Sequence, residues 1–212
     1  MPTLIAIDSN SGYWERRSPV AGAYAQAHDV ANADAVYNDP GSIQIGQFYR
    51  LFPTEYYEVF RGAMIFDTSS IPVGSTMVSA TLALIARQLV GASGFSVVLV
   101  SGVGLADVFV VADFGDLLAA VTSFGAVVIA NPPNETVLTI TLNAAGLAAI
   151  VPGGTTRFGL RSSLDISNTP PVGGTEQGLL YGSGTVDKEP ELTINYDLPV
   201  PVVSTDPATG VT

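Results

Sequence analysis

The side chains in this sequence that could do nucleophilic, acid–base or metal chemistry are few. There is no cysteine and only one histidine in 212 residues, which excludes cysteine nucleophiles, thiolate zinc sites, iron–sulfur clusters and multi-histidine metal sites. The histidine, His28, stands near Asp29 and Asp34 but has no second strong ligand at a fixed spacing. We therefore expect a surface or hydrogen-bonded histidine rather than a metal ligand or an acid–base pair.

Carboxylates are the one abundant ionisable group, with 19 Asp and Glu against 8 Lys and Arg and a net charge of −11. This balance argues against nucleic acid or an anionic membrane surface as a partner, because both require clustered positive charge. Glycoside hydrolysis would require two carboxyls facing each other across a cleft, which no sequence spacing can show. Asp113 and Asp116 instead fit the first turn of a helix, where the helix dipole favours carboxylates. We predict that the protein is not an enzyme.

Calcium is the one cation for which the sequence offers ligands. Acidic loop segments occur at residues 8–10, 29–39 and 187–189, and loops of this kind can supply oxygen ligands. None of the three has the spacing of an EF-hand. The prediction is therefore that the protein needs no cofactor, with a bound calcium ion as the open alternative to solvated carboxylates.

Aromatic residues are concentrated in the N-terminal third, where 11 of the 18 precede Asp67. Rings of this kind could stack on sugar faces, and the candidates are Tyr13, Trp14, Tyr49, Tyr56 and Tyr57. An acidic chain is poorly suited to an anionic polysaccharide, so a neutral sugar fits better unless the nearby arginines form a local basic patch. The alternative is that these rings belong to the core and shield a poorly regular N-terminal region.

The elements that would position these residues are mostly strands. From about Ser42 onward, short apolar runs with period-2 alternation are separated by Gly, Pro, Asn and Ser, which is typical of a β-sandwich or barrel. We predict strands over 78–87 and from residues 95, 135, 156 and 191. Two stretches have helical spacing instead, one over 113–124 and one that follows Asn143 as the N-cap. The sequence thus predicts an all-β fold with one or two short helices in the connections.

The most specific motif is the tract RGAMIFDTSSIPVGSTMVSATLAL, which spans residues 61–84. In physical terms, a buried strand ends at Phe66, Asp67 and Ser69 close a turn, Pro72 and Gly74 reverse the chain, and an apolar strand returns. The tract resembles the DNRLRE domain family, relatives of alginate-binding carbohydrate modules. The residues that carry the resemblance are Arg61, Phe66, Asp67, Ser69, Ser70, Ile71, Pro72, Gly74, Ser79, Ala80, Leu82 and Leu84.

The closing strand, with Pro190, Leu192, Ile194 and Tyr196, resembles the end of the same family's pattern. The resemblance implies a β-sandwich of jelly-roll type over residues 35–197, with Arg61 as a structural residue. We assign residues 1–34 to an N-terminal extension that carries the first strand and residues 198–212 to an extended C-terminal tail. Members of this family usually occur as modules of secreted enzymes, cell-surface proteins or virus-like particles, whereas we expect this chain to stand alone.

Surface composition suggests what such a chain could do. Charged residues make up only 13% of the sequence, against about 25% in typical domains, which indicates apolar area destined for interfaces. The N-terminus lacks the basic and long apolar regions of a secretory signal, so we expect a removed signal or another route out of the cell, and Met1 favours the latter.

We predict a non-catalytic structural subunit of an extracellular or viral particle, such as a phage capsid decoration or head-fibre-like protein. Its expected partners are further copies of itself and a larger capsid or surface assembly, with no nucleic acid and no membrane insertion. Residues 3–8 would add to a neighbour as an edge strand, and residues 198–203 would lie on it as an arm. The alternative is a stand-alone carbohydrate-binding module, whose partner would be a glycan.

Overall fold

The computed structural model describes residues 1–38, 41–51, 53–90, 95–129, 133–171 and 174–201. The strands are β1 (Thr3–Arg17), β2 (Ala35–Asn38), β3 (Ile43–Arg50), β4 (Tyr56–Asp67), β5 (Thr76–Val90), β6 (Ser96–Ser101), β7 (Gly125–Val128), β8 (Val137–Thr141), β9 (Thr155–Ser162), β10 (Gly174–Leu180) and β11 (Glu191–Asp197). The helices are α1 (Ala25–His28), α2 (Asp113–Ala119), α3 (Ala144–Ala148) and α4 (Ser163–Ile166). The prediction of an all-β fold is confirmed.

The strands form one antiparallel sheet that folds into two layers, because the long strands β1 and β5 belong to both. The front sheet contains the N-terminal half of β1, then β11, β5 and β8. The back sheet contains β2, the C-terminal half of β1, β4, β9, β6 and β7. Strands β3 and β10 connect β4 to the C-terminal half of β5, so strand pairing runs around a closed ring. In the described pairing, residues 3–7 of β1 and strand β8 lie at the two edges of the front sheet.

The main core lies between the two sheets. Leu82 and Ile194 from the front sheet meet Phe66, Phe158 and Leu99 from the back sheet, and all five are buried. The front sheet buries alternate residues only, as the clean period-2 pattern of β11 predicts.

A second core lies on the other face of the back sheet, beneath α1, α2 and the loop over residues 102–112. Trp14, Val59, Phe109 and Phe114 are buried there. The back sheet is therefore covered on both faces, and β4 is buried along almost its whole length. A strand covered on both sides has the continuous apolar sequence that β4 shows.

Both predicted helices are present as α2 and α3, and the side chain of Asn143 caps α3 by accepting a hydrogen bond from the Gly146 amide at 3.0 Å. Two further helices, α1 and α4, were not predicted, since four residues are too few to show an apolar period. Ser162 caps α4 through the amide of Asp165 at 3.0 Å. None of the helices in the described segments is long and apolar enough to cross a membrane.

The N-terminal residues are part of the sandwich rather than an extension of it. Residues 3–7 of β1 pair with β11, from Thr3 opposite Asn195 to Ile7 opposite Glu191, and residues 8–17 pair with β4. Residues 3–7 pair with β11 on one side only, so the addition of residues 3–8 to a neighbour as an edge strand stays a prediction. Of the predicted tail, residues 198–201 follow β11, and residues 202–212 lie outside the described residues.

Candidate functional site

The arginine of the sequence motif lies in a buried group of charges. Arg61 of β4 donates two hydrogen bonds to Asp165 of α4, from Nη2 to Oδ1 at 2.9 Å and from Nε to Oδ2 at 3.1 Å. Arg161, the penultimate residue of β9, also donates to Asp165 Oδ2, at 2.6 Å. All three side chains are essentially inaccessible to solvent. We call Arg61, Arg161, Asp165 and His28 the charge cluster.

His28 completes the charge cluster from α1. Its Nε2 lies 2.7 Å from the backbone oxygen of Asp165 and 3.1 Å from Oδ1, and its Nδ1 bonds the Asp29 carboxylate. Burial lowers the pKa of His28, but hydrogen bonds with Asp165 and Asp29 outweigh burial and raise it. Burial would raise the pKa of Asp165, yet Arg61, His28 and Arg161 together lower it. The charge cluster joins α1, β4, β9 and α4, and it offers no surface to a ligand.

The other residues of the motif also act as scaffold. Phe66, Ala80 and Leu82 are buried in the main core. Asp67 Oδ1 accepts a hydrogen bond from the Ser69 amide at 2.9 Å and closes the turn after β4. In the reversal that follows Pro72, Gly74 has a φ of +86°, a conformation that side chains with a Cβ rarely adopt.

The five candidate aromatic residues do not form one surface. In the pairing of β1 with β4, Tyr13 lies opposite Gly62 and Trp14 opposite Arg61. Because alternate residues face opposite sides of a strand, Tyr13 and Tyr56 lie on the face of the back sheet that is directed toward the front sheet. The candidates on the opposite face are Trp14, Tyr49 and Tyr57.

Trp14 and Tyr56 are buried rather than displayed. Trp14 has 0% of its surface exposed, and its Nε1 donates to the backbone oxygen of Val110 at 2.7 Å. A ring enclosed in this way has no face for a sugar, so the prediction of Trp14 as a binding residue is wrong. Tyr56 is also buried, with the guanidinium of Arg17 4.5 Å from its ring centre.

Tyr49 and Tyr57 form a half-buried stack on the outer face of the back sheet. Their ring centres are 4.6 Å apart with an interplanar angle of 22°, and Tyr24 meets Tyr57 edge-on at 5.5 Å. The Tyr49 hydroxyl donates to Glu55 Oε1 at 2.6 Å, and this hydrogen bond raises the pKa of Tyr49 to about 12. Only the outer part of this stack is accessible.

Tyr13 contributes to a second stack, with Tyr37 of β2, at a centroid distance of 4.5 Å and an angle of 18°. Tyr37 and Tyr13 lie beside two carboxyls, Glu15 and Glu58, that Arg17 bridges. Arg17 Nη2 is 2.5 Å from Glu58 Oε1 and 3.3 Å from Glu15 Oε1. We call Glu15 and Glu58 the carboxyl pair.

In the carboxyl pair, the pKa of the partly exposed Glu15 is shifted strongly from its usual value. Burial and a hydrogen bond with the Glu58 carboxyl raise the pKa of Glu15 to about 7. The two carboxyls of a glycosidase stand about 5–10 Å apart to flank the scissile bond. Here Arg17 bonds both carboxyls instead and holds them as a salt-bridged group. The pair was not predicted, since its two members meet only through the register of β1 with β4.

The predicted calcium segments do not converge in the described part of the chain. No group of three or more His, Cys, Asp or Glu side chains capable of holding a metal ion occurs there. In the first segment, Asp8 Oδ1 accepts hydrogen bonds from the amides of Ile65 and Asn10. The last residue of the second segment, Asp39, lies outside the described residues. A calcium site stays a prediction.

The outer face of the front sheet is a regular array with almost no charge. Its side chains fall into cross-strand rows, of which one runs Ile5, Thr193, Thr81 and Thr141. We call this array the front face, and its members are Thr3, Ile5, Ile7, Ser79, Thr81, Ala83, Ile85, Val137, Thr139, Thr141, Glu191, Thr193 and Asn195.

Hydrogen bonds within the front face hold one of its rows in place. Thr3 Oγ1 donates to Asn195 Oδ1 at 2.6 Å, and Asn195 Nδ2 donates to Ser79 Oγ at 3.0 Å. Ile5 and Ile7 remain 58% and 47% exposed. Glu191 is the one charged member, and the exposed Asp197 continues the same face at the end of β11, in a chain whose net charge is −11.

Comparison with known proteins adds no relative. No protein-family model matches the chain, and no curated protein gives a significant match.

Proposed function

We propose that the protein is a non-catalytic structural subunit of an extracellular or viral particle, such as a phage capsid decoration or head-fibre-like protein. The observation that carries this proposal is the front face, an ordered and nearly uncharged sheet surface on a strongly acidic chain. Its partners are further copies of the same chain and a larger capsid or surface assembly. Membership of the DNRLRE family stays a prediction and does not carry the argument.

Electrostatics favours the front face as the contact surface. Two copies that each carry a charge of −11 repel each other, so association is least costly through the surface with the fewest carboxylates. The centres of protein interfaces are depleted of charge in the same way, because buried charges lose their hydration. The hydroxyls of Thr193 and Thr81 can exchange water for a partner at much smaller cost than a carboxylate can.

The area of the front face indicates an assembly with more than one contact. At about 33 Å² per side chain on a sheet, the face covers roughly 400 Å², half of the ~800 Å² per partner in a standard interface. A second apolar surface lies where the chain leaves β11, with Leu198 and Val200 58% and 87% exposed. Repeated weak contacts of this kind are how subunits of a large particle associate.

A charge placed at the centre of the front face tests the proposal. We expect wild-type protein to form a trimer or larger species in light scattering coupled to size exclusion, and Thr193→Lys to reduce it to monomer. Thr54→Lys is the matched control, because Thr54 is exposed in the loop between β3 and β4, two strands that are not part of the front sheet. A wild-type monomer at every concentration would overturn the proposal, as would equal effects of the two lysines. Adding a chelator in parallel tests for calcium.

The second candidate function is a stand-alone carbohydrate-binding module, which the two half-exposed tyrosine stacks favour. Tyrosine rings at a sheet surface can stack on the apolar face of a sugar. Tyr37→Ala and Tyr49→Ala each remove one ring of a stack, so retention on immobilised glycans should fall if this function holds. Unchanged retention in both variants with intact assembly would remove this candidate.

A further inference from the structure

Three of the five glutamines of the chain lie together on the outside of the sheet that connects the two layers. Gln44 of β3 lies opposite Leu179 of β10, and Leu179 lies opposite Gln88 of β5. Gln177 precedes Leu179 by two residues on β10, so both side chains point to the same face. Neighbouring Leu180 points inward to the main core. The register alone therefore brings carboxamides from three adjacent strands to one place.

These four side chains line a pocket of about 140 Å³. No described residue forms a hydrogen bond with the carboxamides of Gln44, Gln88 or Gln177. The other two glutamines differ in this respect. Gln26 Oε1 accepts from the Ala23 amide at 2.9 Å, whereas Gln47 accepts from Tyr24 and donates to the Thr169 oxygen at 2.7 Å. The pocket therefore contains donors and acceptors that the fold itself leaves unused.

The chemistry of the pocket defines its ligand. A carboxamide offers two donors and an acceptor and carries no charge, so three of them complement a group of neighbouring hydroxyls, each both donor and acceptor. Leu179 adds an apolar surface for C–H groups. The volume equals about five waters at ~30 Å³ each, which is the size of one sugar ring rather than a chain. Neither a cation nor an anion finds an opposite charge among the four lining residues.

We propose that the pocket formed by Gln44, Gln88, Gln177 and Leu179 binds an uncharged saccharide unit. The proposal does not rest on assembly through the front face, and the pocket is separate from both tyrosine stacks. It also differs from the anionic polysaccharide that the sequence resemblance implies, because a chain with a charge of −11 repels a polyanion. A small, shallow site of this kind binds a single ring weakly, in the millimolar range.

The test uses the side-chain NH2 groups of the glutamines as reporters in ¹⁵N-edited NMR of the full chain. The probes are the methyl glycosides of glucose and galactose, with N-acetylglucosamine as a third neutral ring and glucuronate as the charged comparison. We expect at least one neutral probe to shift the signals of Gln44, Gln88 and Gln177 together and saturably. The signals of Gln26 and Gln47 serve as internal controls, because their amides are already bonded.

Variants then separate the pocket from general surface effects. Gln177→Ala removes one donor–acceptor set and should weaken binding of the active probe roughly tenfold. Thr122→Ala, at an exposed position between α2 and β7, should leave it unchanged. The proposal is overturned if no neutral probe shifts the three signals at up to about 50 mM, far above the expected millimolar range. It is likewise overturned if glucuronate shifts them as strongly, or if Gln177→Ala binds as wild type does.

Discussion

The two sheets of the sandwich distribute charge in opposite ways. The back sheet is covered on both faces, and beneath its outer cover it encloses Arg61, Arg161, Asp165 and His28. The front sheet is covered on one face only, and its outer face carries two charged residues of β11, Glu191 and, at the end of the strand, Asp197. The buried charges therefore link helices to strands, whereas the outer face of the front sheet carries few charged residues. This contrast is the basis of the proposed association through the front face.

The largest effect is expected where the charge cluster is broken. Asp165→Asn leaves the Arg61 and Arg161 guanidiniums buried without their counter-charge, so we expect a loss of about 3–5 kcal/mol in the free energy of unfolding. Denaturant titration followed by circular dichroism measures this loss. The matched control is Asp107→Asn, which breaks an exposed ion pair with Arg157 and should cost under about 1 kcal/mol. Similar losses in both variants would contradict the structural role of the cluster.

Two neighbouring residues of β5 separate folding from association. Leu82 is fully buried between the sheets, and Thr81 lies on the front face. Leu82→Ala should lower the free energy of unfolding by about 2–5 kcal/mol, because it leaves a cavity. Thr81→Ala should change the free energy of unfolding of the monomer by less than about 0.5 kcal/mol.

Thr81→Lys, at the same front-face position, should leave the monomer folded and abolish association, because it places a charge in the contact. Urea titration and light scattering on the same samples measure the two effects. Full association of Thr81→Lys would place the contact elsewhere on the molecule.

A smaller effect is expected at Trp14. Trp14→Phe keeps most of the buried ring but leaves the Val110 oxygen without its 2.7 Å hydrogen bond, at a cost of about 1–3 kcal/mol. Retention on glycans should not change, since the ring has no exposed face. Thermal unfolding and a glycan-retention assay measure the two quantities. Loss of retention without loss of stability would restore Trp14 as a binding residue.

The smallest effect concerns the pH dependence of stability. Because folding raises the pKa of Glu15 from 4.5 to about 7, the folded state binds its proton more tightly than the unfolded state does. The associated stability is fully present below about pH 4.5 and is lost as the pH rises through about 7. Glu15→Gln is neutral at every pH, so the stability of wild type relative to this variant should decline across that window. Parallel stability curves over pH 4–8 would contradict the raised pKa of Glu15.

The sequence predicted which segments form strands and helices better than it predicted which of these elements pack together. β11 and β8 follow from their alternation, and α3 follows from Asn143 as its cap, because these signals are local. The cover over Trp14 could not be predicted, since it is supplied by a loop almost a hundred residues further along the chain. Likewise, β1 was assigned to an extension because no local signal shows that its two halves pair with different sheets.

The candidate surfaces show the same limit. The alternation of β11 predicts that Thr193, Asn195 and Asp197 face away from Leu192 and Ile194, and the structure places them so. In the front face, these residues of β11 lie beside threonines of β5 and β8. This arrangement depends on the order of the strands, which the alternation within one strand does not specify. The glutamine pocket has the same origin, since Gln44, Gln88 and Gln177 are far apart in sequence and meet only through the pairing of β3, β10 and β5.

Hydrogen–deuterium exchange of the wild-type chain, compared between dilute and concentrated samples, is the most direct test of association through the front face. If the subunits associate through the front face, backbone amides of residues 3–7 and 137–141 should gain protection on concentration. Amides of the loop over residues 102–112 should not, although Val103 and Val108 are the most exposed valines on the other side of the molecule. Protection gained only in that loop, or protection that does not depend on concentration, would contradict association through the front face.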